Sequence, residues 1–105
     1  MDFYEEVTRV YDKGVKIVYE NIGFEIIYIH SIISNFPKRK YGTVAMESFL
    51  EEFKSKDIYI FSTDELGVKR EVLDSWYERL GFIKDNNKEL PYNVTHCKIK
   101  RKGGE

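Results

Sequence analysis

Residues 24–34, FEIIYIHSIIS, constrain the fold of this chain more than any other stretch. β-Branched and aromatic side chains dominate it, and these fit a pleated strand better than a helix. Successive side chains of a strand point to opposite faces. Strict alternation puts His30 on one face with Phe24, Ile26, Tyr28, Ile32 and Ser34, and isoleucines fill the other face too. A strand that is apolar on both sides must be covered on both sides, so this one is expected at the centre of a sheet. The chain has 105 residues, enough for one domain with a single core spanning 1–105.

The neighbouring segments fall into place around that strand. Residues 15–20 alternate, with Val15, Ile17 and Tyr19 sharing a face, and the ENIG turn that follows makes a hairpin with the long strand. Upstream, residues 2–12 carry Phe3, Val7, Val10 and Tyr11 at helical spacing and read as a short helix stopped at Gly14, although VTRVY also reads as a strand. NFPKRKYG, residues 35–42, breaks the pattern with Asn, Pro and Gly. Residues 41–54 then read as a helix with Val44, Ala45, Phe49 and Phe53 as its stripe. A strand is expected at 57–62, a second amphipathic helix at 68–80 ended by Gly81, a short strand at 82–84 and a last strand at 92–100. Strand, helix, strand over 24–62 is a crossover unit, which requires its two strands to be parallel. The expected class is mixed α/β (α+β): a mostly antiparallel sheet with one central parallel pair, flanked by helices.

Bulk properties remove several alternatives. The net charge is −1, which gives no global attraction to nucleic acid or to a membrane surface. KIKRK at 98–102 is locally basic and reads as a solvated terminal strand and tail, so nucleic acid is disfavoured as a partner. No apolar run approaches the roughly 20 residues needed to span a bilayer. The single cysteine, Cys97, has no internal disulfide partner, which fits a reducing cytoplasm. Two histidines and one cysteine at these separations make no recognised metal pattern, and no metal is expected.

Three places could carry chemistry. The turn into the first helix puts Lys38, Arg39 and Lys40 beside a helix N-terminus, whose unpaired N–H groups and partial positive charge favour phosphate. Gly42 lets backbone approach a ligand closely there. Tyr77 lies on the second helix among Leu73, Trp76 and Leu80, where a tyrosine is by itself a core residue. His30 lies in the long strand, where a lone histidine is more often a satisfied core group than a base.

Taken together, FEIIYIHSIISNFPKRKYGTVAMESFL and VLDSWYERLGF resemble the Gcn5-related N-acetyltransferase (GNAT) superfamily. That family's cofactor motif is Arg or Gln, two residues, Gly, one residue, then Gly or Ala; Arg39, Gly42 and Val44 stand in those places. Its second hallmark, an aromatic pair followed by Gly-Phe, matches Trp76, Tyr77, Gly81 and Phe82. The resemblance covers about residues 15–100. It implies acetyl-coenzyme A as cofactor, its pyrophosphate on Arg39, Lys40, Tyr41, Gly42, Thr43 and Val44, and its pantetheine arm along Ile32, Ile33 and Ser34. It further implies direct attack by a primary amine of a small molecule or protein, with Tyr77 as general acid toward the departing thiolate. For the general base, Tyr28 at the comparable inward position is weak, so His30 ranks first and Glu25, on the opposite face, below it.

The chain departs from the family in three ways. Val44 replaces a small residue, with Ala45 beside it; Lys69 stands near the family's usual asparagine; and only about 14 residues precede the hairpin, where typical members have a further strand and two helices. The competing expectation is a non-catalytic binding or regulatory module of the same fold that retains coenzyme A binding. A homodimer is the family's common habit.

Overall fold

A computed structural model describes residues 5–34, 40–62 and 69–100. It forms a six-stranded mixed sheet with two helices. The strands are β1 (Glu6–Val10), β2 (Lys16–Gly23), β3 (Ile26–Ile33), β4 (Asp57–Ile60), β5 (Ile83–Lys84) and β6 (His96–Lys98). The helices are α1 (Tyr41–Glu52) between β3 and β4, and α2 (Arg70–Arg79) between β4 and β5. The sheet order is β1-β2-β3-β4-β6-β5. Only β3 and β4 pair in parallel, in register from Ile26↔Asp57 to Ile29↔Ile60, and every other pair is antiparallel. The expected central position of the long strand and its parallel partner are therefore present.

The first segment differs from the helix reading. Residues Glu6–Val10 form a strand paired with β2, from Glu6↔Glu20 to Val10↔Lys16. Val7, Thr8 and Val10 are β-branched, which lowers their helix propensity, and β2 offers a free edge for them. The hairpin turn also moves: β2 runs on to Gly23, and the chain reverses at Phe24 and Glu25. Phe24 is thereby left 89% exposed instead of on a sheet face.

Both helices pack on one face of the sheet. Ala45, Met46, Phe49 and Leu50 of α1 and Tyr77 of α2 form one core with Ile17, Ile27, Ile29, Ile58, Ile60 and Phe82. Phe49 is fully buried, its ring edge-on to Tyr19 at a centroid distance of 5.2 Å and 4.8 Å from Phe53. The α1 stripe is rotated from the expected one: Met46 and Leu50 go in, while Val44 is 60% exposed. A helix of this length buries the stripe that meets the sheet, and four adjoining positions at 45, 46, 49 and 50 define it. On the opposite face a smaller cluster of Ile22, Tyr28, Tyr59, Val94 and Cys97 is closed by Ile26 and Leu90. The flanking by helices is thus one-sided. Among the described residues no helix is long and apolar enough to cross a membrane.

Cys97 is fully buried and donates its S–H to Asp85 Oδ2 at 3.2 Å. Burial first, then this acidic neighbour, pushes its thiol from 9.0 up to about 12. A raised folded-state pKa contributes stability that is complete below pH 9 and is lost as pH climbs from about 9 toward 12. The buried phenols of Tyr28 and Tyr59 are shifted upward too and act in the same direction at higher pH. The urea midpoint is expected to fall on moving from neutral to strongly alkaline buffer, and Cys97→Ala to flatten the first part of that fall. The thiol should also ignore a soluble disulfide reagent until the chain is unfolded.

Candidate functional site

The two sequence motifs meet in space. Trp76 of α2 donates its indole N–H to Thr43 Oγ1 in the first turn of α1 at 2.8 Å. This bond places the N-terminus of α1 beside α2 and explains why Trp76 is only partly buried against the core. Lys40, at the N-cap, makes no side-chain capping hydrogen bond. The backbone N–H groups that open α1 have no intrahelical acceptor, so this turn carries the partial positive charge of the helix dipole. Lys13 adds a cation 5.8 Å from the Tyr41 ring.

Gly42 is informative here. It is the second residue of a regular helix, and among the described residues a Cβ added to it would meet only Trp76 Cζ2, at an ordinary 3.9 Å. Its φ is not positive, unlike those of Gly14 and Gly81. The described residues therefore leave room for alanine, which would favour the helix by about 1 kcal/mol. A glycine at such a position suits a close approach of something outside the chain. Val44 points away from the core and blocks nothing inside it. Arg39, with Lys38, lies outside the described residues.

The ladder between the two parallel strands stops just before this turn. Pairing of β3 with β4 ends at Ile29↔Ile60, yet β3 continues to Ile33, held on its other side by β2 through Lys16↔Ile33. Beyond Ile29, β3 therefore has no ladder partner on its β4 side among the described residues. Ile32 packs against the helix-side core, Ile33 is 46% exposed, and Ser34 is half-buried.

That placement of Ile32 corrects the simple alternation. β2 pairs Val18 with Ser31 but Tyr19 with Ile29, so His30 is an extra residue in a β-bulge. A bulge changes which side chains face which side after it. Ile32 is thereby turned to the face of Ile27 and Ile29, while His30 stays with Tyr28 on the other face.

His30 stands in a polar cluster. Its Nε2 lies 2.8 Å from Glu20 Oε1 and 3.8 Å from Glu6 Oε1. Glu20 is only 3% exposed, and its Oε1 also accepts the hydroxyl of Tyr92 at 2.9 Å. That hydrogen bond to Glu20 is the main reason the Tyr92 phenol is pushed above its usual range. The Tyr92 ring stacks on Tyr28 at 4.7 Å. One ligand atom each from Glu6, Glu20 and His30 falls within 4.8 Å of the others, a donor set able to hold a divalent cation. The sequence reading missed this cluster. Glu6 and Glu20 face each other only through the β1–β2 register, and Tyr92 arrives from a segment 72 residues after Glu20. The one legible signal was Glu20 itself, a carboxylate continuing an apolar strand.

Tyr77 and His30 are not brought together. Tyr77 is 6% exposed within the helix-side core, near Phe82 and His96 at ring distances of 5.8 Å. His30 is on the opposite face of the sheet. Glu25, ranked below His30 as a base, sits in the hairpin turn with φ 55 and pairs with Lys100. Compared with protein-family models, curated proteins and solved structures, the chain matches none.

Proposed function

We propose that this protein is an acetyl-CoA-dependent N-acetyltransferase of the GNAT type acting on a primary amine. One juxtaposition carries the reading: the ladder between two parallel strands ends beside the uncapped first turn of α1, which Trp76 ties to α2. Ligands of α/β sheets gather at the carboxyl ends of parallel strands, and an anion favours a helix N-terminus. Lys40, Tyr41, Gly42, Thr43 and Val44, with Arg39 before them, would hold the pyrophosphate. The backbone of Ile32, Ile33 and Ser34, beyond the end of the ladder, would accept the amide-rich arm. Bound there, acetyl-CoA supplies an activated acyl group. On the face of Tyr28, His30 takes the proton of the acceptor ammonium: with Nε2–H donated to Glu20, the lone pair of the neutral ring is on Nδ1. On the helix side, Tyr77 gives its phenolic proton to the thiolate. The setting proposed is cytoplasmic, and the edge strand β1, with Val7 and Val10 exposed, would let a second copy pair.

The burial of Tyr77 favours a second reading, a module that binds coenzyme A without transferring acetyl groups. Calorimetry with acetyl-CoA, followed by thiol release with a panel of amines, separates the two. Binding with amine-dependent release supports the enzyme, binding alone supports the module, and no binding removes both. At 100 times the Kd, acetyl-CoA should stabilise the fold by about 2.7 kcal/mol. Gly42→Ala is expected to raise the melting temperature slightly while weakening that binding about tenfold, a loss of roughly 1.4 kcal/mol. Unchanged affinity would mean that nothing approaches the α1 backbone at this point. Arg39→Glu is expected to weaken binding by repelling phosphate.

A further inference from the structure

The cluster of Glu6, Glu20 and His30 gathers more negative charge than a base requires. Pairing of β1 with β2 sets Glu6 directly opposite Glu20, and like charges facing each other across a ladder are destabilising. Among the described residues, no lysine or arginine forms an ion pair with either carboxylate; each pairs only with His30. In its neutral form His30 supplies no charge to them. Glu20 is almost wholly buried, and a buried carboxylate is ordinarily paired with a cation or bound to a metal. A divalent ion between the three side chains would relieve this arrangement.

The distances suit one. Around a tetrahedral zinc ion with bonds of about 2.0–2.1 Å, ligand atoms lie roughly 3.4 Å apart. His30 Nε2 is 2.8 Å from Glu20 Oε1 and 3.8 Å from Glu6 Oε1, values on either side of that spacing. The ligand atoms are also held in place. The rings of Tyr28 and Tyr92 stand edge-on to the imidazole, each at a centroid distance of 5.0 Å. The Tyr92 hydroxyl donates to Glu20 Oε1 at 2.9 Å, an outer hydrogen bond of the kind that orients a ligating carboxylate. The extra residue in the β3 bulge is His30 itself, and bulges often re-aim a side chain beside a site. An ion can reach the cluster from solvent, because β1 is an edge strand and the Glu6 side chain is 62% exposed.

We infer that Glu6, Glu20 and His30 bind a divalent transition-metal ion of the zinc class, through His30 Nε2 and one oxygen of each carboxylate, with solvent in the remaining position. The nitrogen ligand selects against magnesium and calcium, which take oxygen ligands. Without metal, His30 donates its Nε2–H to Glu20. The metal takes that nitrogen and leaves the ring proton on Nδ1, so His30 is free to act as a base only in the metal-free protein. Binding needs no acetyl-CoA, and its test does not depend on the proposed reaction.

Calorimetric titration of the metal-stripped full chain with zinc chloride at neutral pH tests this. One ion should bind per chain with a Kd on the order of 1 μM, and magnesium chloride at the same concentrations should not bind. In nuclear magnetic resonance, zinc should move the ring nitrogen signals of His30 to the Nδ1–H form and leave those of His96 in place. Glu6→Gln alters an exposed side chain on an edge strand, so it should keep the native melting temperature while weakening zinc binding at least tenfold. Glu20→Gln should weaken it as much; if burying the amide unfolds the chain, Glu6→Gln decides alone. No saturable zinc binding, equal affinity in Glu6→Gln, His30 nitrogens unmoved at saturating zinc, or magnesium bound as tightly as zinc would each overturn the assignment.

Discussion

Phe49→Ala is expected to cost about 3–5 kcal/mol of folding stability, the usual range for truncating a buried phenylalanine. Phe49 is fully buried at the centre of the larger core, against Tyr19 and Phe53, on the helix that covers β2, β3 and β4. Removing its ring leaves a cavity between α1 and the sheet that neither rigid strand can close. Domains of this size are commonly stable by about 5–15 kcal/mol, so the variant should lose a large part of its margin. Its melting temperature should drop by roughly 15 °C or more. Val44→Ala, five residues earlier on the outer surface of the same helix, should change stability by no more than about 0.5 kcal/mol. Urea denaturation of both variants makes the comparison. A Phe49→Ala cost below that of Val44→Ala would mean that α1 does not pack on the sheet as described.

The largest expected effect on activity is that of Tyr77→Phe. The substitution keeps the ring that packs against Phe82 and Trp76 and removes only the hydroxyl. If Tyr77 is the acid of the proposed reaction, kcat should fall by about 10²–10⁴-fold, with the Kd for acetyl-CoA nearly unchanged. Its burial to 6% sharpens the test, because a phenol that served packing alone would leave turnover untouched. A normal rate in Tyr77→Phe would assign the residue to the core. Loss of cofactor binding together with rate would instead point to a rearranged α2, which the Trp76–Thr43 hydrogen bond makes visible through tryptophan fluorescence.

Most of the secondary structure could be read directly because its signals are local. The isoleucine-rich run with apolar residues on both faces required a central strand. The change from a period of two to a period of 3.6 at Tyr41 required a helix, and the crossover between them required a parallel pair. The glycine at 42 and the Trp76–Tyr77 pair were visible as candidates for the same reason. Where local preference was weak, the reading failed. Residues 6–10 fit either period, and only the free edge of β2 decided for a strand.

What the residue order determined by itself was the list of elements, the class of the fold and the chemical types available at the turn after β3. Tertiary structure alone decided the rest. The bulge at His30 turned Ile32 to the helix side, and no sequence period reports a single inserted residue. The pairing of β1 with β2 put Glu6 opposite Glu20, and the segment before β6 carried Tyr92 to the same carboxylate. The packing of α2 on β6 set His96 facing Asp74. Each of these contacts joins residues distant in the chain, so it depends on register and packing, which local side-chain preferences do not encode.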